Sequence, residues 1–299
     1  GRGVLALRFR SAHKTGVVMS IQLESEHGGR IEGDYRSYRA LNQSIAKHIV
    51  RNPELSRLYW TNQLKRDPTP AQRLGSVVDA WILGGYEPPQ IFDGVRRGKK
   101  WDEFQQEHAG KRIVNPREAE QEADVLRQIN ESLFSHDSAR KVMQQLVDTH
   151  VAIWFDEPST GVHCKAEVDG ITAEQIIDLK TCSDVDRFER DVDRYGYWFQ
   201  AAWYQTGVER CGGGTLPFRL VAVETAPPYR VEVFDLEDEY VEAGRREMVE
   251  ACAYFELHHR KTRWLPYDHG EPKLLRCPQW RKPQEENEEL TLNGEVLEW

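Results

Sequence analysis

The chain has 299 residues, of which 39% are hydrophobic and 30% charged, with a formal net charge of -9 at pH 7 and a mean hydropathy of -0.68. This composition is typical of a soluble globular protein and excludes a collagen-like, coiled-coil or wholly disordered chain. The longest apolar run has five residues, far fewer than the roughly 20 that a transmembrane helix needs, so we expect no membrane contact.

The ends of the chain differ from its middle. Residues 1–36 are interpreted as a leader or poorly ordered N-terminus, because the first internal methionine is Met19 and a Gly-rich stretch follows. Residues 37–282 are expected to form a single domain. The segment 283–299 contains six Glu and no Lys or Arg, which predicts a disordered acidic tail. The five cysteines form no C-x-x-C pair, which predicts a reduced, cytoplasmic protein.

The first half of the domain is predicted to be helical. Apolar residues at helical spacing predict helices over 38–49 before Pro53, over about 74–83 before Gly84-Gly85, and over about 116–133 after an initiating Pro116. The stretch 86–115 between the last two is predicted to be a loop.

From residue 150 the period of the pattern changes to that of strands. Segments 150–156 and 162–169 flank a Pro-Ser-Thr-Gly turn and predict a hairpin, to which 175–180 adds a third strand. A long helix over about 184–209, strands over 218–225 and 230–235, and a helix over about 238–260 follow. Helices followed by mixed strands and helices favour an α/β domain with a helical N-terminal part.

The most informative segment is Asp178-Leu179-Lys180 in the third strand. Because side chains alternate along a strand, Asp178 and Lys180 share one face. If the preceding strand ends beside them, Asp169 joins the cluster, and two carboxylates can hold Mg²⁺ or Mn²⁺ and the oxygens of a phosphate. Lys180 can then orient the attacking water and stabilise negative charge. The simpler alternative is an exposed ion pair on a sheet face.

The order of several motifs makes the sequence resemble the PD-(D/E)XK nuclease superfamily, and within its RecB-like branch the RecE-type (exonuclease VIII-like) phage and prophage exonucleases. The resemblance covers most of residues 37–270. It is carried by Leu41-Asn42-Gln43-Ser44, by the segment from Leu74 to Asp79, by Val168-Asp169-Gly170, by Ile177-Asp178-Leu179-Lys180-Thr181, and by the Gln200 and Tyr204 of a Q-x-x-x-Y.

This resemblance implies a restriction-endonuclease-like core, in which helices flank a mixed central sheet, and it implies roles for single residues. Asp169 and Asp178 would be metal ligands, and Lys180 the water-orienting base or electrostatic catalyst. Gln200 and Tyr204, four residues apart and therefore on one helix face, would support the site. The neighbouring aromatic residues of this helix are interpreted as core residues.

Two positions depart from the family pattern. Asp79 stands where a metal-binding histidine is usual, and we predict that it is a third metal ligand, with a local hydrogen bond as the alternative. His150 stands where the first strand often has Glu, so the two ligand types could be exchanged. Glu167 shares its strand face with Asp169 and Lys165, and it is either another metal-site acid or a partner of Lys165.

Basic residues are predicted to contact DNA. The segment 96–100 combines four basic residues with the following Trp101, a pattern that suits phosphate contact and base stacking, although a solvated loop would have the same composition. The predicted DNA-binding residues are Arg96, Arg97, Lys99, Lys100 and Lys165.

The function predicted from these observations is a Mg²⁺- or Mn²⁺-dependent exonuclease. By resemblance, it degrades linear double-stranded DNA from its 5′ ends, leaves 3′ single strands for a RecT-like annealing protein, and assembles as a ring-shaped homo-oligomer. Two alternatives remain open: an endonuclease or repair nuclease on the same core, and an inactive nuclease-fold module that binds DNA or protein.

Overall fold

The computed structural model describes residues 21–65 and 67–261, together with 264, 272, 274–276, 291–292 and 295–296. Two compact units divide the chain, residues 1–265 and 266–299. In the first unit the strands are β1 Glu24–Ser25, β2 Gly28–Arg30, β3 Leu41–Asn42, β4 Gln90–Ile91, β5 Ile113–Val114, β6 Asp148–Asp156, β7 His163–Ile171, β8 Ile176–Cys182, β9 Phe218–Glu224 and β10 Val231–Asp235. Its α-helices are α1 Gln43–Ile49, α2 Pro53–Trp60, α3 Pro70–Leu83, α4 Lys99–Glu107, α5 Pro116–Ser135, α6 Asp137–Gln145, α7 Phe188–Tyr195, α8 Tyr197–Arg210 and α9 Asp238–Lys261.

A mixed sheet forms the centre of the first unit, in the order β1-β2-β6-β7-β8-β9-β10. The neighbours along this path are antiparallel except β8 and β9, which run parallel because α7 and α8 connect them. Strand β3 lies parallel to the first part of β7. Helices cover both faces, so the predicted α/β core with a mixed central sheet is confirmed.

Two apolar clusters explain why the sheet is covered on both sides. One contains Phe155, Trp203 and Leu220 and joins the sheet to α1, α8 and α9. The other joins α3, α5 and α6 to alternate residues of the same strands, such as Ile177 and Val221. Because Ile177 and Leu179 are buried in the second cluster, the alternation of β8 directs Asp178 toward the first, where α8 lies.

Several elements differ from the sequence predictions. The predicted loop 86–115 contains α4 as the crossover between the parallel pair β4 and β5. The predicted helix 184–209 is divided at Gly196, whose φ of 67 ends α7 in the left-handed conformation. The first helix ends at Ile49, before Pro53, as predicted, but it begins at Gln43, and Pro53 is the first residue of a further helix, α2, that was not predicted. Gly75 lies inside α3, not at its start.

The chain ends also differ from their predicted boundaries. Strands β1 and β2 extend the sheet through pairing with β6, so order begins before residue 37. Residues 1–20 of the predicted leader at 1–36 lie outside the described residues, as does most of the predicted acidic tail at 283–299. In the second unit, β11 Thr291–Leu292 and β12 Glu295–Val296 form an antiparallel pair. No helix among the described residues is long and apolar enough to cross a membrane.

Candidate active site

The candidate site lies where β7 and β8 separate. Their pairing consists of Gly170 with Ile177 and Ile171 with Ile176, and it does not extend to Asp169. Beyond this point the backbone N–H of Leu179 donates to Oδ2 of Asp169 over 3.2 Å. A carboxylate therefore replaces a main-chain acceptor, and the gap between the strands holds the acidic cluster predicted from the sequence.

The opposite neighbour of Asp169 is also distorted. On β6, Thr149 pairs with Gly170 and Val151 with Val168, whereas His150 between them adopts a φ of 50 and has no such pairing within the strand. A left-handed conformation inside a strand is uncommon and is concentrated at functional sites. Backbone pairing is thus interrupted on both sides of Asp169.

Asp178 is fully buried and is held by two side chains. Its Oδ1 accepts a hydrogen bond of 2.7 Å from Nε2 of Gln200 on α8, and its Oδ2 is in contact with the ammonium of Lys180. Lys180 in turn lies 5.0 Å from the ring centroid of Tyr197. The structure therefore brings together the predicted pair of β8 and the predicted glutamine of the following helix.

Burial dominates the charge state of this cluster. It raises the pKa of Asp169 to about 6 and that of Asp178 to about 7, and the neighbouring carboxylates add to both increases. Burial alone would lower the pKa of Lys180, but the attraction of Asp178 and Asp169 overrides it and raises that pKa. Lys180 is therefore an ammonium. Asp169 and Asp178 are each more readily protonated than an exposed aspartate.

Tyr204 lies beneath these groups. It is 6% exposed, packs edge-on against Phe218, and lies four residues after Gln200 on the same face of α8. Burial raises its pKa well above the ordinary value, with the charges of Asp169 and Asp178 acting in the same direction. Tyr204 is therefore a neutral phenol in the core beside Gln200, which agrees with a supporting position.

Asp79 reaches the cluster because α3 approaches β8 closely. A Cβ at Gly75, one turn before Asp79, would lie 3.0 Å from Oγ1 of Thr181. Burial raises the pKa of Asp79, whereas His150 and Lys180 lower it, so all three groups interact. Oδ2 of Asp79 is 3.8 Å from Nδ1 of His150. The two positions at which the sequence departs from the family pattern are therefore neighbours.

Lys165 does not occupy the position expected of a DNA contact. It is 5% exposed, and its Nζ donates hydrogen bonds of 2.7 Å each to the carbonyl oxygens of Tyr35 and Tyr38. The sequence did not indicate this burial, because alternation gives the face of a strand residue but not what covers that face. Glu167 is exposed, and the hydrogen bonds described for the ammonium of Lys165 go to the two carbonyl oxygens and not to Glu167.

The predicted basic segment divides into two groups. Arg96 pairs with Glu118 of α5, and Trp101 packs against Phe92, so neither side chain is fully available to a ligand. Arg97, Lys99 and Lys100 are exposed, the two lysines in the first turn of α4.

A cavity of about 400 Å³ next to the acidic cluster was missed by the sequence analysis. It is lined by Arg30, Tyr35 and Arg36 on one side and by His150 and Glu167 on the other. The missed residues fall in the segment interpreted as a leader. The Gly-rich composition of this segment did not predict a strand, although β2 pairs with β6 in the central sheet.

The donor chemistry of the cluster suits a divalent cation. The four carboxylates of Asp79, Glu167, Asp169 and Asp178 interact electrostatically with one another, and the ammonium of Lys180 and the imidazole of His150 lie among them. Within the described part of the chain, no three His, Cys, Asp or Glu side chains are already close enough to hold a metal ion together. The residue types and the excess of buried negative charge fit such an ion, and the approach of the ligands would accompany its binding.

Comparisons with known proteins show the family and the fold in which this candidate site lies. Residues 43–268 match the model of a family described as a PDDEXK-like domain of unknown function (DUF3799). The fold is similar to a crystal structure from Eubacterium rectale, of a protein for which an exonuclease activity has been suggested, with a TM-score of 0.58 and 14% identity. That match covers 83% of this chain and 96% of the other. None of the curated proteins matches the chain.

Proposed function

The chain belongs to the PDDEXK-like family DUF3799, and from this membership we propose that it is a metal-dependent deoxyribonuclease that hydrolyses phosphodiester bonds. The observation that carries the proposal is the contact set of Asp178. Its carboxylate accepts a hydrogen bond from the carboxamide of Gln200 and pairs with the ammonium of Lys180. These contacts lie where β7 and β8 separate and Asp169 accepts a hydrogen bond from the backbone of β8. A buried acid with these partners is costly for stability, which is typical of functional groups.

Each residue has a separate part in the proposed chemistry. Asp169 and Asp178, with Asp79, would hold Mg²⁺ or Mn²⁺. When bound, such an ion would stabilise the charge of the phosphate and lower the pKa of a water molecule. Lys180, as an ammonium, would orient the nucleophilic water and stabilise negative charge on the phosphate oxygens. Its raised pKa favours this electrostatic role over that of a base.

The supporting residues would keep this arrangement rigid. Gln200 would fix one oxygen of Asp178, leaving the other for Lys180 and the ion. Tyr204 would fix Gln200 in turn, from within the core. Because α8 follows β8 through α7, the chain order itself would bring the carboxamide over the acidic strand.

We further propose that the enzyme is an exonuclease acting on linear double-stranded DNA. The RecE-type motif order and the activity suggested for the structurally similar E. rectale protein support this substrate. By the same resemblance, degradation would run from 5′ to 3′ and leave 3′ single strands for recombination. The resemblance also implies a RecT-like annealing partner, a ring-shaped homo-oligomer and a place in the cytoplasm.

Exposed basic residues would hold the DNA backbone. Arg97, Lys99 and Lys100 lie on the β4-α4-β5 insertion that follows α3, the helix carrying Asp79. Their charges suit phosphate contact, which makes DNA binding depend on salt.

Digestion of matched DNA forms tests this function. We expect purified protein with Mg²⁺ to degrade linear duplex DNA and to spare a covalently closed circle of the same sequence. Cleavage of the closed circle would identify an endonuclease instead. DNA binding without cleavage of either form, in Mg²⁺ or Mn²⁺, would identify an inactive nuclease-fold module. The variant Asp178→Asn serves as the control for a contaminating nuclease.

A further inference from the structure

The ring orientation of His150 is fixed by a backbone group. One ring nitrogen, Nε2, lies 3.1 Å from the carbonyl oxygen of Gly84, just after the end of α3. A carbonyl oxygen can only accept, so Nε2 carries a hydrogen. In the neutral imidazole the lone pair is therefore on Nδ1.

A carboxylate oxygen lies near this nitrogen. Nδ1 is 3.8 Å from Oδ2 of Asp79, which is longer than a hydrogen bond between these atoms. Two metal–ligand bonds of ~2.1 Å can span this separation, so one cation can bind both the imidazole nitrogen and the carboxylate oxygen. The arrangement also matches the general property of metal-binding histidines, whose second nitrogen donates to a carbonyl or carboxylate that fixes the tautomer.

The backbone conformation adds an independent observation. His150 has a φ of 50, although the residues around it in β6 pair regularly with β7. Uncommon conformations of this kind persist where the surrounding structure requires them, and they cluster at functional sites. The distortion lies beside Asp169, and the imidazole is one-third exposed, in the wall of the cavity that also contains Glu167. An ion can therefore reach Nδ1 from solvent.

We propose that Nδ1 of His150 is a metal ligand, and that together with Asp79 it makes the site selective for first-row transition metals over Mg²⁺ and Ca²⁺. This inference rests on the proposed metal-dependent nuclease. An all-oxygen site favours Mg²⁺, Ca²⁺ or Mn²⁺, whereas an imidazole nitrogen increases affinity for the later metals of the row. The carbonyl of Gly84 is the outer group that holds the ring in its tautomer.

The chain offers a matched control. His163 also lies beside a carboxylate, with Nδ1 2.9 Å from Oδ1 of Asp156 and Nε2 2.9 Å from the hydroxyl of Tyr38. Both of its nitrogens are thus in hydrogen bonds outside the acidic cluster. The variant His163→Ala removes an imidazole of similar exposure without touching the proposed metal site.

Calorimetric titration of the whole chain with Co²⁺, and separately with Mg²⁺, tests the proposal. The variant His150→Gly removes the imidazole and accepts the positive φ, and His150→Asn is a second replacement that tolerates this conformation. We expect either variant to bind Co²⁺ at least about 10-fold more weakly than the unaltered chain. For Mg²⁺ we expect a loss below about threefold. His163→Ala should bind both ions normally.

The possible failures are distinguishable. Unchanged Co²⁺ affinity in a folded His150 variant, or equal losses for Co²⁺ and Mg²⁺, would overturn the ligand assignment and leave the proposed nuclease intact. If the unaltered chain binds neither Mg²⁺, Mn²⁺ nor Co²⁺, the metal-dependent function itself is contradicted. The visible absorption of bound Co²⁺ gives a second readout, which should differ between the unaltered chain and His150→Asn.

Discussion

The backbone N–H of Leu179 donates its hydrogen bond to the side chain of Asp169, not to a main-chain carbonyl of the neighbouring strand. This one contact joins the separation of β7 and β8 to the chemistry of the site. The carboxylate that we propose as a metal ligand also accepts the hydrogen bond of a backbone N–H that has no main-chain partner where the pairing of β7 and β8 ends.

Because Asp169 has both a structural and a proposed catalytic part, we expect two replacements of it to differ in stability but to lose activity alike. Asp169→Asn keeps an oxygen acceptor for Leu179, whereas Asp169→Ala leaves that N–H without its partner. We expect the asparagine variant to be more stable than the alanine variant by about 1 kcal/mol in urea unfolding. Both variants should lose nuclease activity, at least about 100-fold, because neither supplies a carboxylate. Equal unfolding free energies would contradict the structural role.

Burial of Asp178 predicts a pH-dependent cost. Its pKa is about 7 in the folded protein, against an ordinary 3.8, so between about pH 4 and pH 7 the folded state binds more protons than the unfolded state. The contribution of this group to the free energy of unfolding is therefore favourable at low pH and is lost as the pH rises through that window. Asp178→Asn removes the loss.

The measurement is the free energy of unfolding of both proteins in EDTA. Relative to the unaltered chain, we expect the free energy of unfolding of Asp178→Asn to increase from pH 5 to pH 8 by an amount on the order of 2 kcal/mol. Because groups remote from Asp178 titrate alike in both proteins, the difference reports Asp178 together with the neighbouring Asp79, Asp169 and Lys180, whose pKa values depend on its charge. A difference that is the same at pH 5 and pH 8 would contradict the assigned burial effect. Mg²⁺ should stabilise the unaltered chain more at pH 8 than at pH 5, since protons compete for the carboxylates.

Gln200 is predicted to be a positioning residue. Gln200→Met would remove the hydrogen bond to Oδ1 of Asp178 and raise the pKa of that carboxyl further. We expect kcat to fall about 10-fold and the acid limb of its pH profile to move upward by about one unit. Gln205→Met is the matched control, because Gln205 is a buried amide of the same helix that donates to the carbonyl oxygen of Leu216. It should lose stability without moving the acid limb, and an equal movement in both variants would exclude a specific role.

Exposed and buried basic residues are expected to contribute differently to the salt dependence of DNA binding. Replacing Arg97, Lys99 and Lys100 by alanine should reduce the slope of log binding affinity for duplex DNA against log salt by about 2–3. Lys165→Met should leave the slope unchanged and lower the free energy of unfolding by about 1–3 kcal/mol, because two half-buried carbonyl oxygens lose their donor. A reduced slope for Lys165→Met would restore it as a DNA contact.

Local patterns predicted the centre of this protein better than its margins. The period-2 alternation around Asp178 and Lys180 depends on backbone geometry alone, and it correctly gave the strand and the shared face. Gln200 followed from the Q-x-x-x-Y of the family resemblance, and helical spacing put it on one face with Tyr204. These inferences needed no knowledge of distant contacts.

The rest depended on long-range contacts that sequence does not encode locally. Lys165 is buried because a loop more than 120 residues earlier supplies its two acceptors. The pairing of His150 with Gly84 and Asp79 joins residues more than 60 positions apart. Pro88-Pro89 indicated a loop, although a β-α-β unit begins one residue later. In each case the decisive neighbour lies on another element.

The most direct test of the central claim is Mg²⁺-dependent release of nucleotides from labelled linear duplex DNA. The unaltered chain and Lys141→Gln, which replaces an exposed lysine of α6, should release nucleotides equally. Lys180→Gln should be slower by about 100-fold or more, because the ammonium held against Asp178 is lost. If the unaltered chain releases nothing with Mg²⁺ or Mn²⁺, or if Lys180→Gln is as active as the control, the proposed nuclease site is contradicted.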